Sequence, residues 1–444
     1  MDIERIAEEF KNKNIVLVGL GLQGGAVGVA KFLSRFVSLC TVTDLRKETE
    51  LRPSIDALQY FKNIQFELGE HRPSTFLSAD CIVIGPSVRL DMPQLVSARE
   101  KGIPIVSEME LFFKYNSRPV IGVTGTRGKT TTTTLIYEML KMDKRNVLLG
   151  GNIPGSSTLS LLEKECDLVL LELSSWQLSG LHRIGISPHI AVFTNFFPDH
   201  LNFYSSMDDY LFDKQAIYTF QNDKDHLVVN KSLQKIIEKN MPRSRVHYFT
   251  QNTYTKKIAL LGDHNRENVS AAFTVGEILG VSPQALSVLS TFKGVSFRLE
   301  NIETINGVDI YNDTTSTTPI AGIRALEAIH DRYKRIILIT GGNSKGLPVE
   351  EWLGTVQSFA TRVVCMEGTF TDSILPRLDK SKLLALIPMS NLKSILSLAM
   401  KYSQPGDAIL FSPSATSFAM FKNEFDRGEQ FNKIVEEYSK QYDK

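Results

Sequence analysis

The chain has 444 residues, of which 42% are hydrophobic and 22% are charged. This length exceeds what one hydrophobic core usually supports, so we expect a globular protein of two to four domains. The formal net charge of +1 gives no electrostatic case for a nucleic-acid partner or for an anionic membrane surface.

The four cysteines also exclude some classes of protein. Cys40, Cys81, Cys166 and Cys365 are far apart and form no C-x-x-C pair, so neither a zinc site nor a disulfide framework is expected. The first residues, MDIERIAEEFKNKN, are charged and lack an apolar signal core, and no apolar run is long enough to cross a bilayer. The expected location is the cytoplasm.

Short apolar runs alternate with longer helical patterns over most of the chain, which is typical of α/β folds. The runs that predict buried strands are NIVLVG, LCTVTD, CIVIGP, IPIVSE, PVIGVTG, DLVLLEL, HIAVFTN, HLVVN, DIYND, RIILITGG, RVVCME and AILFSP. A long helix is predicted over NRENVSAAFTVGEILG. Breaks in the pattern near residues 106–119 and 297–298 predict three α/β domains, comprising residues 1–106, 107–297 and 298–444.

The first predicted strand runs into a glycine loop, VLVGLGLQGG. Gly19, Gly21 and Gly24 have the G-x-G-x-x-G spacing, and Asp44 ends the next predicted strand. This pattern is typical of a dinucleotide site, in which the backbone approaches a diphosphate and an acid binds a ribose. Because these contacts suit any nucleoside diphosphate conjugate, the loop alone leaves the ligand open. The alternative is a helix packed closely on a strand through glycine.

A second glycine loop, TGTRGKTTTTTL, begins at Thr124 between a predicted strand and a predicted helix. Its small residues allow backbone N–H groups to surround an anion at the positive end of the helix. Lys129 would reach the outer phosphates of a nucleotide, and the Thr130 hydroxyl would bind Mg²⁺. Only two residues separate Gly125 from Gly128, whereas the usual P-loop has four. The alternative is a tight turn that caps a helix.

Three further side chains are candidates for metal binding. Glu172 ends a buried strand, where a carboxylate needs a partner such as Mg²⁺ or backbone donors. His200 follows another strand, and the residues alone leave a metal role and a structural role equally open. Lys214 lies between aromatic residues in YLFDKQAIY, a setting in which a lysine can lose its proton. The residues alone nevertheless favour an amphipathic lysine that reaches solvent.

The series of motifs resembles the Mur ligase family over essentially the whole chain, and most closely its D-glutamate-adding branch. The motifs that carry the resemblance are GVTGTRGKTT, GGNIP, ELSSWQL, DHLNFY, DHNRENVSAA, FRLE, YNDTTSTTP, GGNSKG and FSPSATSFAMFKNEFDRG. The resemblance implies an α/β fold with a Rossmann-like domain for the UDP-substrate, a central P-loop ATPase-like domain and a Rossmann-like domain for the amino acid. It also accounts for the short glycine loop, which is the family's own.

The resemblance assigns roles to matching positions. ATP would be bound by Gly125, Thr126, Arg127, Gly128, Lys129, Thr130, Thr131, Asn268, Arg298 and Asp313. Two Mg²⁺ ions would be held by Thr130, Glu172, His200 and Lys214, with Lys214 carbamylated by CO₂. The UDP-sugar-peptide and glutamate would contact Gln23, Asp44, Arg46, Asn152, Ser174, Gln177, Thr317, Lys345, Ser417 and Phe418. Lys129, His200 and Lys214 would be the catalytic residues.

The implied reaction is an ATP-dependent addition of D-glutamate to UDP-N-acetylmuramoyl-L-alanine through an acyl phosphate, carried out in the cytoplasm by a monomer. The chain departs from some relatives at Thr315, Ala419 and Gln23, which leaves the detail of amino-acid and uridine contacts open. The residues also leave open whether a sister ligase adds L-glutamate, since mirror-image glutamates carry the same groups. Less favoured are a regulatory P-loop NTPase and an NAD-dependent dehydrogenase built on the first loop, which would leave the second loop unexplained.

Overall fold

Three β-sheets organise the protein. The computed structural model describes residues 2–22, 24–153, 157–199, 203–417 and 420–442. The chain folds into two compact units: unit 1 comprises residues 1–255 and 267–289, and unit 2 comprises residues 256–266 and 290–444. Unit 1 holds two of the sheets and unit 2 holds the third.

The first sheet is parallel throughout, in the order β3-β2-β1-β4-β5. Its strands are β1 Asn14–Val18, β2 Leu39–Asp44, β3 Ile64–Leu68, β4 Cys81–Ile84 and β5 Ile105–Ser107. The accompanying helices are α1 Asp2–Phe10, α2 Gly25–Leu33, α3 Glu48–Asp56, α4 Pro73–Leu77, α5 Pro93–Glu100 and α6 Glu108–Tyr115. Strand order reverses beside β1, which places the first glycine loop where α/β sheets usually bind ligands.

The second sheet is also parallel, in the order β11-β10-β9-β6-β8-β7. Its strands are β6 Val120–Thr124, β7 Val147–Gly151, β8 Leu168–Glu172, β9 Ile190–Phe193, β10 His226–Asn230 and β11 Arg245–Phe249. The helices are α7 Lys129–Met142, α8 Ser175–Ile184, α9 Met207–Gln215, α10 Gln234–Lys239, α11 Asp263–Ile278, α12 Pro283–Leu286 and α13 Val288–Thr291. Here the order reverses between β6 and β9, at the second glycine loop.

The third sheet, in unit 2, has the order β12-β13-β16-β14-β15, with β12 antiparallel to β13 and the other pairs parallel. Its strands are β12 Glu300–Ile305, β13 Val308–Asn312, β14 Ile336–Gly341, β15 Arg362–Met366 and β16 Ala408–Phe411. The helices are α14 Pro319–Ile329, α15 Glu350–Phe359, α16 Thr369–Ile374, α17 Leu392–Tyr402 and α18 Glu424–Tyr442.

Apolar side chains cover the sheets. In unit 1 one hydrophobic cluster runs continuously from the first sheet, through Phe112 of α6, to Leu171 and Phe193 of the second sheet. In unit 2 separate clusters cover the two faces of the third sheet, one containing Leu338 and the other Ile339, because successive side chains of a strand point to opposite faces. Each sheet edge that carries a candidate site therefore rests on a packed core.

All twelve predicted strands are present, and the predicted long helix corresponds to α11. The α/β fold class is confirmed. Four further strands, β3, β7, β11 and β12, were not predicted from the sequence, and each lies at the edge of its sheet. Across the described part of the chain, every helix is either too short or too polar to span a membrane.

Candidate active site

The second glycine loop joins the end of β6 to the start of α7. Gly125 and Gly128 both have positive φ, 150° and 75°. A Cβ at Gly125 would clash with Thr194 Oγ1, and one at Gly128 would clash with Asn268 Oδ1. Glycine is therefore required at both positions, by backbone conformation and by space.

Two residues after β9 hold this loop. The Thr126 N–H donates to the Asn195 carbonyl at 3.0 Å, and the Arg127 N–H donates to Asn195 Oδ1 at 2.9 Å. Thr194 Oγ1 donates to the Arg127 carbonyl at 2.6 Å. The sequence patterns assigned no role to Thr194 or Asn195. The available signal was their place directly after a buried strand, at the same sheet edge as the glycine loop.

The first turn of α7 completes an anion-binding end of the loop. Lys129 Nζ lies 3.0 Å from the carbonyl oxygens of both Gly125 and Thr126, so its charge is held at the loop. Thr130 and Thr131 follow in the first turn, where helix N–H groups lack intrahelical partners and the helix dipole is positive. Asn268 of α11 contacts the same turn, accepting from Thr132 Oγ1 at 3.3 Å. The arrangement suits the phosphates of a nucleotide.

Lys214 lies under the loop. Its side chain on α9 is 1% exposed, and Nζ donates to the Gly125 carbonyl at 2.9 Å. Nζ also lies 4.8 Å from the ring centroid of Tyr210. Burial, and after it the charge of Lys129, lowers the pKa of Lys214 well below its ordinary value. The expectation from the residues alone, a lysine reaching solvent, is wrong, because the Lys214 amine is enclosed beneath the glycine loop.

Glu172 is a buried carboxylate at the end of β8, with 3% of its surface exposed. Its Oε1 accepts a hydrogen bond from Asn152 Nδ2 at 3.2 Å, and its carbonyl accepts from the Asn152 N–H at 2.7 Å. Within the described residues, no group of three or more His, Cys, Asp or Glu side chains could hold a metal ion by itself. The Glu172 carboxylate and the Thr130 hydroxyl nevertheless fit Mg²⁺, which prefers oxygen ligands and shares them with phosphates. His200 lies outside the described residues.

Ser174 and Gln177 begin helix α8 and bind each other. Ser174 Oγ accepts from the Gln177 N–H at 3.3 Å, and Gln177 Oε1 accepts from the Ser174 N–H at 3.0 Å. This reciprocal capping box satisfies N–H groups at the helix start. Both residues therefore have a structural role at the start of α8, shortly after Glu172 ends β8; the resemblance also implies that they contact the substrate.

The first glycine loop is closed around Asp44 at the end of β2. Asp44 Oδ2 accepts from the N–H groups of Leu20 and Gly21 at 2.9 and 3.2 Å, and Oδ1 accepts from Arg46 Nε at 3.3 Å. Burial alone would raise the pKa of Asp44, but hydrogen bonds from Arg46 and Gly21 outweigh it and hold the pKa below its ordinary value. The carboxylate therefore orders the loop, and Arg46 presents a half-exposed cation at its rim. Gln23 lies outside the described residues.

In unit 2, Asp313 ends a buried segment after β13. Its Oδ1 accepts from the Leu299 N–H at 3.0 Å, and its Oδ2 accepts from Ser412 Oγ at 2.7 Å. Arg298 is exposed, and its neighbours Phe297 and Leu299 have φ of 67° and 50°, a region that non-glycine residues rarely adopt. Burial raises the pKa of Asp313 to about 7, although these hydrogen bonds lower it in part.

The raised pKa predicts how Asp313→Asn changes the pH dependence of stability. Between the unfolded pKa near 4 and the folded pKa near 7, the folded wild type binds the extra proton, so its stability falls as pH rises through this window. The asparagine variant lacks this titration. We expect its melting temperature, relative to that of the wild type, to rise by a few degrees between pH 5 and pH 8. A difference that stays constant over this range would contradict the assignment.

The residues predicted to frame glutamate lie on loops of unit 2. Lys345 Nζ donates to Thr317 Oγ1 at 3.1 Å. The Asn343 N–H donates to the Thr416 carbonyl at 3.1 Å and the Thr416 N–H donates to the Asn343 carbonyl at 3.0 Å, which joins the loop after β14 to the loop after β16. Ser417, at the end of this bridge, is 2% exposed. Phe418 lies outside the described residues.

Three family models match the chain. They are the Mur ligase MurD-like N-terminal domain over residues 13–107, the Mur ligase middle domain over residues 123–255, and the Mur ligase glutamate ligase domain over residues 297–415. Each match contains one of the three sheets or most of it.

Full-length relatives and solved structures agree with these models. The chain is 33% identical to a UDP-N-acetylmuramoylalanine–D-glutamate ligase from Borreliella burgdorferi, over 97% of this chain and 99% of the relative. It is 34% identical to the protein of the same name from Roseiflexus sp., over 97% and 100% of the two chains. The crystal structure of the UDP-N-acetylmuramate–alanine ligase MurC from Thermotoga maritima is similar in fold, with a TM-score of 0.62, 20% identity, and coverage of 97% and 100%. That of the MurF ligase from Thermotoga maritima in complex with ADP has a TM-score of 0.59, 18% identity, and 97% coverage of each chain.

Proposed function

The chain belongs to the Mur ligase family, and we propose that it adds D-glutamate to UDP-N-acetylmuramoyl-L-alanine with cleavage of ATP to ADP and phosphate, in the synthesis of peptidoglycan precursors. The observation that carries this proposal is the match to D-glutamate ligases over 97% of the chain at 33–34% identity. The glycine loop above the buried Lys214 supplies the site at which ATP would react.

The reaction divides one difficult condensation into two displacements. The L-alanyl carboxylate of the substrate attacks the γ-phosphorus of ATP, forming an acyl phosphate and releasing ADP. The amine of D-glutamate then attacks the acyl carbon, an amide forms, and phosphate leaves with the bonding electrons of the C–O bond. Most of the acceleration should come from positioning and from charge stabilisation.

The residues of the glycine loop have a direct part in the first displacement. Lys129 and the N-terminus of α7 would stabilise the charge that spreads over the γ-phosphoryl oxygens. Asn268 and the Thr194–Asn195 segment would keep the loop in one conformation, so that little reorganisation is needed when ATP binds. Arg298 and Asp313 of unit 2 are proposed to contact the rest of the nucleotide.

We further propose that Lys214 is carbamylated and, with Thr130, Glu172 and His200, holds two Mg²⁺ ions. Carbamylation needs a neutral amine, which attacks CO₂ and loses a proton to give a carbamate. The burial of Lys214, which lowers its pKa well below the ordinary value, favours the neutral amine. The bound ions would offset the negative charge of the phosphates.

The three ranges 1–106, 107–297 and 298–444 are proposed to bind the UDP-substrate, ATP and D-glutamate, in that order. In the first range, Arg46 lies beside the loop of Gly19–Gly24. Its cationic guanidinium group suits the diphosphate of the UDP-substrate, which would bind against the backbone of this loop. Asn152, Ser174 and Gln177 are proposed to contact the sugar-peptide. Because the substrates are nucleotides, we place the reaction in the cytoplasm.

The experiment that tests the proposed function is ADP release from the purified protein with ATP, UDP-N-acetylmuramoyl-L-alanine and a panel of D- and L-amino acids. We expect ADP only when both the sugar-peptide and D-glutamate are present. Activity with L-glutamate instead would identify a sister ligase. ADP release that needs no amino acid would identify a regulatory NTPase and overturn the proposal.

Lys345 has the chemistry of a direct contact for a glutamate carboxylate, since it places an ammonium group beside the Thr317 hydroxyl. We expect Lys345→Ala to raise the KM for D-glutamate at least about tenfold, because a hydrogen bond to a charged group is lost. The KM for ATP should rise much less. Initial rates with each substrate varied in turn give both constants. Equal increases in the two KM values would remove the assignment.

A further inference from the structure

Arg427 of α18 is a guanidinium group with no exposed surface. Its Nε donates to Thr314 Oγ1 at 2.8 Å and its Nη2 donates to the Thr314 carbonyl at 2.7 Å. Nη1 and Nη2 both donate to the Ala415 carbonyl at 3.3 Å. One side chain therefore joins the loop after β13 to the loop after β16, and these are the loops that carry Thr317 and Ser417.

The charge of Arg427 is not balanced locally. Among the described residues, all its hydrogen-bond acceptors are neutral oxygens, and it forms no ion pair with a carboxylate within 4.0 Å. Burial lowers the pKa of Arg427 to about 10, with partial compensation from the more distant Glu424 and Asp313, so the group stays protonated near pH 7. A buried cation that forms no ion pair is costly, and its charge acts strongly on groups nearby.

A narrow internal gap in unit 2, with no room for a water molecule, adjoins this charge. It is lined by Gly341, Gly342, Met366, Glu367, Thr416, Ser417, Met420, Phe421 and Arg427. Ser417 Oγ is buried and has no hydrogen-bond partner among the described residues. Because this gap admits no ligand, Arg427 can act on an anionic group only through the segment that carries Ser417, and not by direct contact.

Glutamate has two carboxylates, and Lys345 can bind only one of them directly. We infer that Arg427 is a positioning and specificity-determining residue: it holds the segment Ala415–Ser417 in place, and its uncompensated charge selects an amino acid with a side-chain carboxylate over its neutral amide. This inference rests on the proposed function. Arg427 does not touch the ligand; its charge acts across the segment that it binds, where few water molecules screen it.

The test compares D-glutamate with D-glutamine, which has nearly the same shape but no side-chain charge. The KM for D-glutamate and the inhibition constant of D-glutamine are measured for the wild type, Arg427→Met and Arg427→Gln. Arg324→Met, which removes an exposed arginine of the same unit, is the matched control. We expect the ratio of the two constants to shift toward D-glutamine about tenfold or more in both Arg427 variants, from the loss of one charge near the site, with little change in the control or in the KM for ATP.

A purely structural role would weaken D-glutamate and D-glutamine equally, and an unchanged ratio overturns the inference. If neither Arg427 variant folds, Arg427→Lys gives a second measurement: it retains the cation, so its preference for D-glutamate over D-glutamine must persist, and loss of that preference also overturns the inference. Failure of the proposed function is a separate outcome, because the wild type would then release no ADP in response to D-glutamate.

Discussion

Lys129→Ala is expected to reduce the rate of D-glutamate-dependent ADP release by about a thousandfold or more. A loss of this size is typical when a group that stabilises charge in the transition state is removed. Lys129 is held at the glycine loop by the carbonyls of Gly125 and Thr126, next to the positive end of α7. Alanine removes the cation, but the two glycines and the hydrogen bonds to Asn195 still hold the loop in its conformation. We therefore expect binding of UDP-N-acetylmuramoyl-L-alanine, measured by calorimetry, to stay nearly intact.

The matched control for this variant is Lys141→Ala, which removes an exposed lysine from the last turn of the same helix. It should retain the wild-type rate. Turnover of Lys129→Ala within about tenfold of the wild type would mean that the loop does not act on the transferred phosphoryl group, because such a small loss is that of an ordinary hydrogen bond.

Lys214→Ala and Lys214→Met are expected to lose activity to a similar extent. Alanine removes both the amine and its packing, whereas methionine retains most of the buried volume, so equal losses would assign the effect to the amine rather than to packing. Wild-type enzyme depleted of CO₂ should lose activity and regain it when bicarbonate is added, because the neutral amine can then reform the carbamate.

The carbamate itself can be observed. Enzyme incubated with ¹³C-bicarbonate should show a carbamate carbon signal that is absent from Lys214→Met. The assignment would be removed if CO₂ depletion leaves the rate unchanged and electron density shows a bare ammonium group on Lys214. Melting temperatures of both variants control for the loss of the buried hydrogen bond to Gly125.

The strands that could be predicted from sequence differ from those that could not. β1, β6, β8 and β14 are buried on both faces, so their sequences are continuous apolar runs with a clear boundary. The strands that were missed, β3, β7, β11 and β12, lie at sheet edges and are partly exposed. At an edge, pairing with the neighbouring strand decides the conformation, and only tertiary structure provides that neighbour.

The candidate active site likewise has parts that could be predicted from the sequence and parts that could not. Both glycine loops could be located from sequence, because their glycines, the lysine and the flanking strand and helix are local features. The groups that hold the second loop could not, because Thr194, Asn195 and Asn268 lie about 70 to 140 residues further along the chain. Arg427 was missed for the same reason: it binds Thr314 across 113 residues, and its own surroundings in the sequence are polar.

The layered α/β fold, the position of the phosphate-binding loop and, through the series of motifs, the family could all be predicted from the amino-acid sequence. These depend on periodicity and short-range spacing, which a linear chain records directly. The burial of Lys214 became visible only in the fold: the residues alone favoured a lysine that reaches solvent, whereas its position under Gly125 encloses the amine. A residue is buried when distant segments of the chain pack over it, and its neighbours in sequence do not reveal this. Burial in turn lowers the pKa of this lysine and so disfavours its charged form.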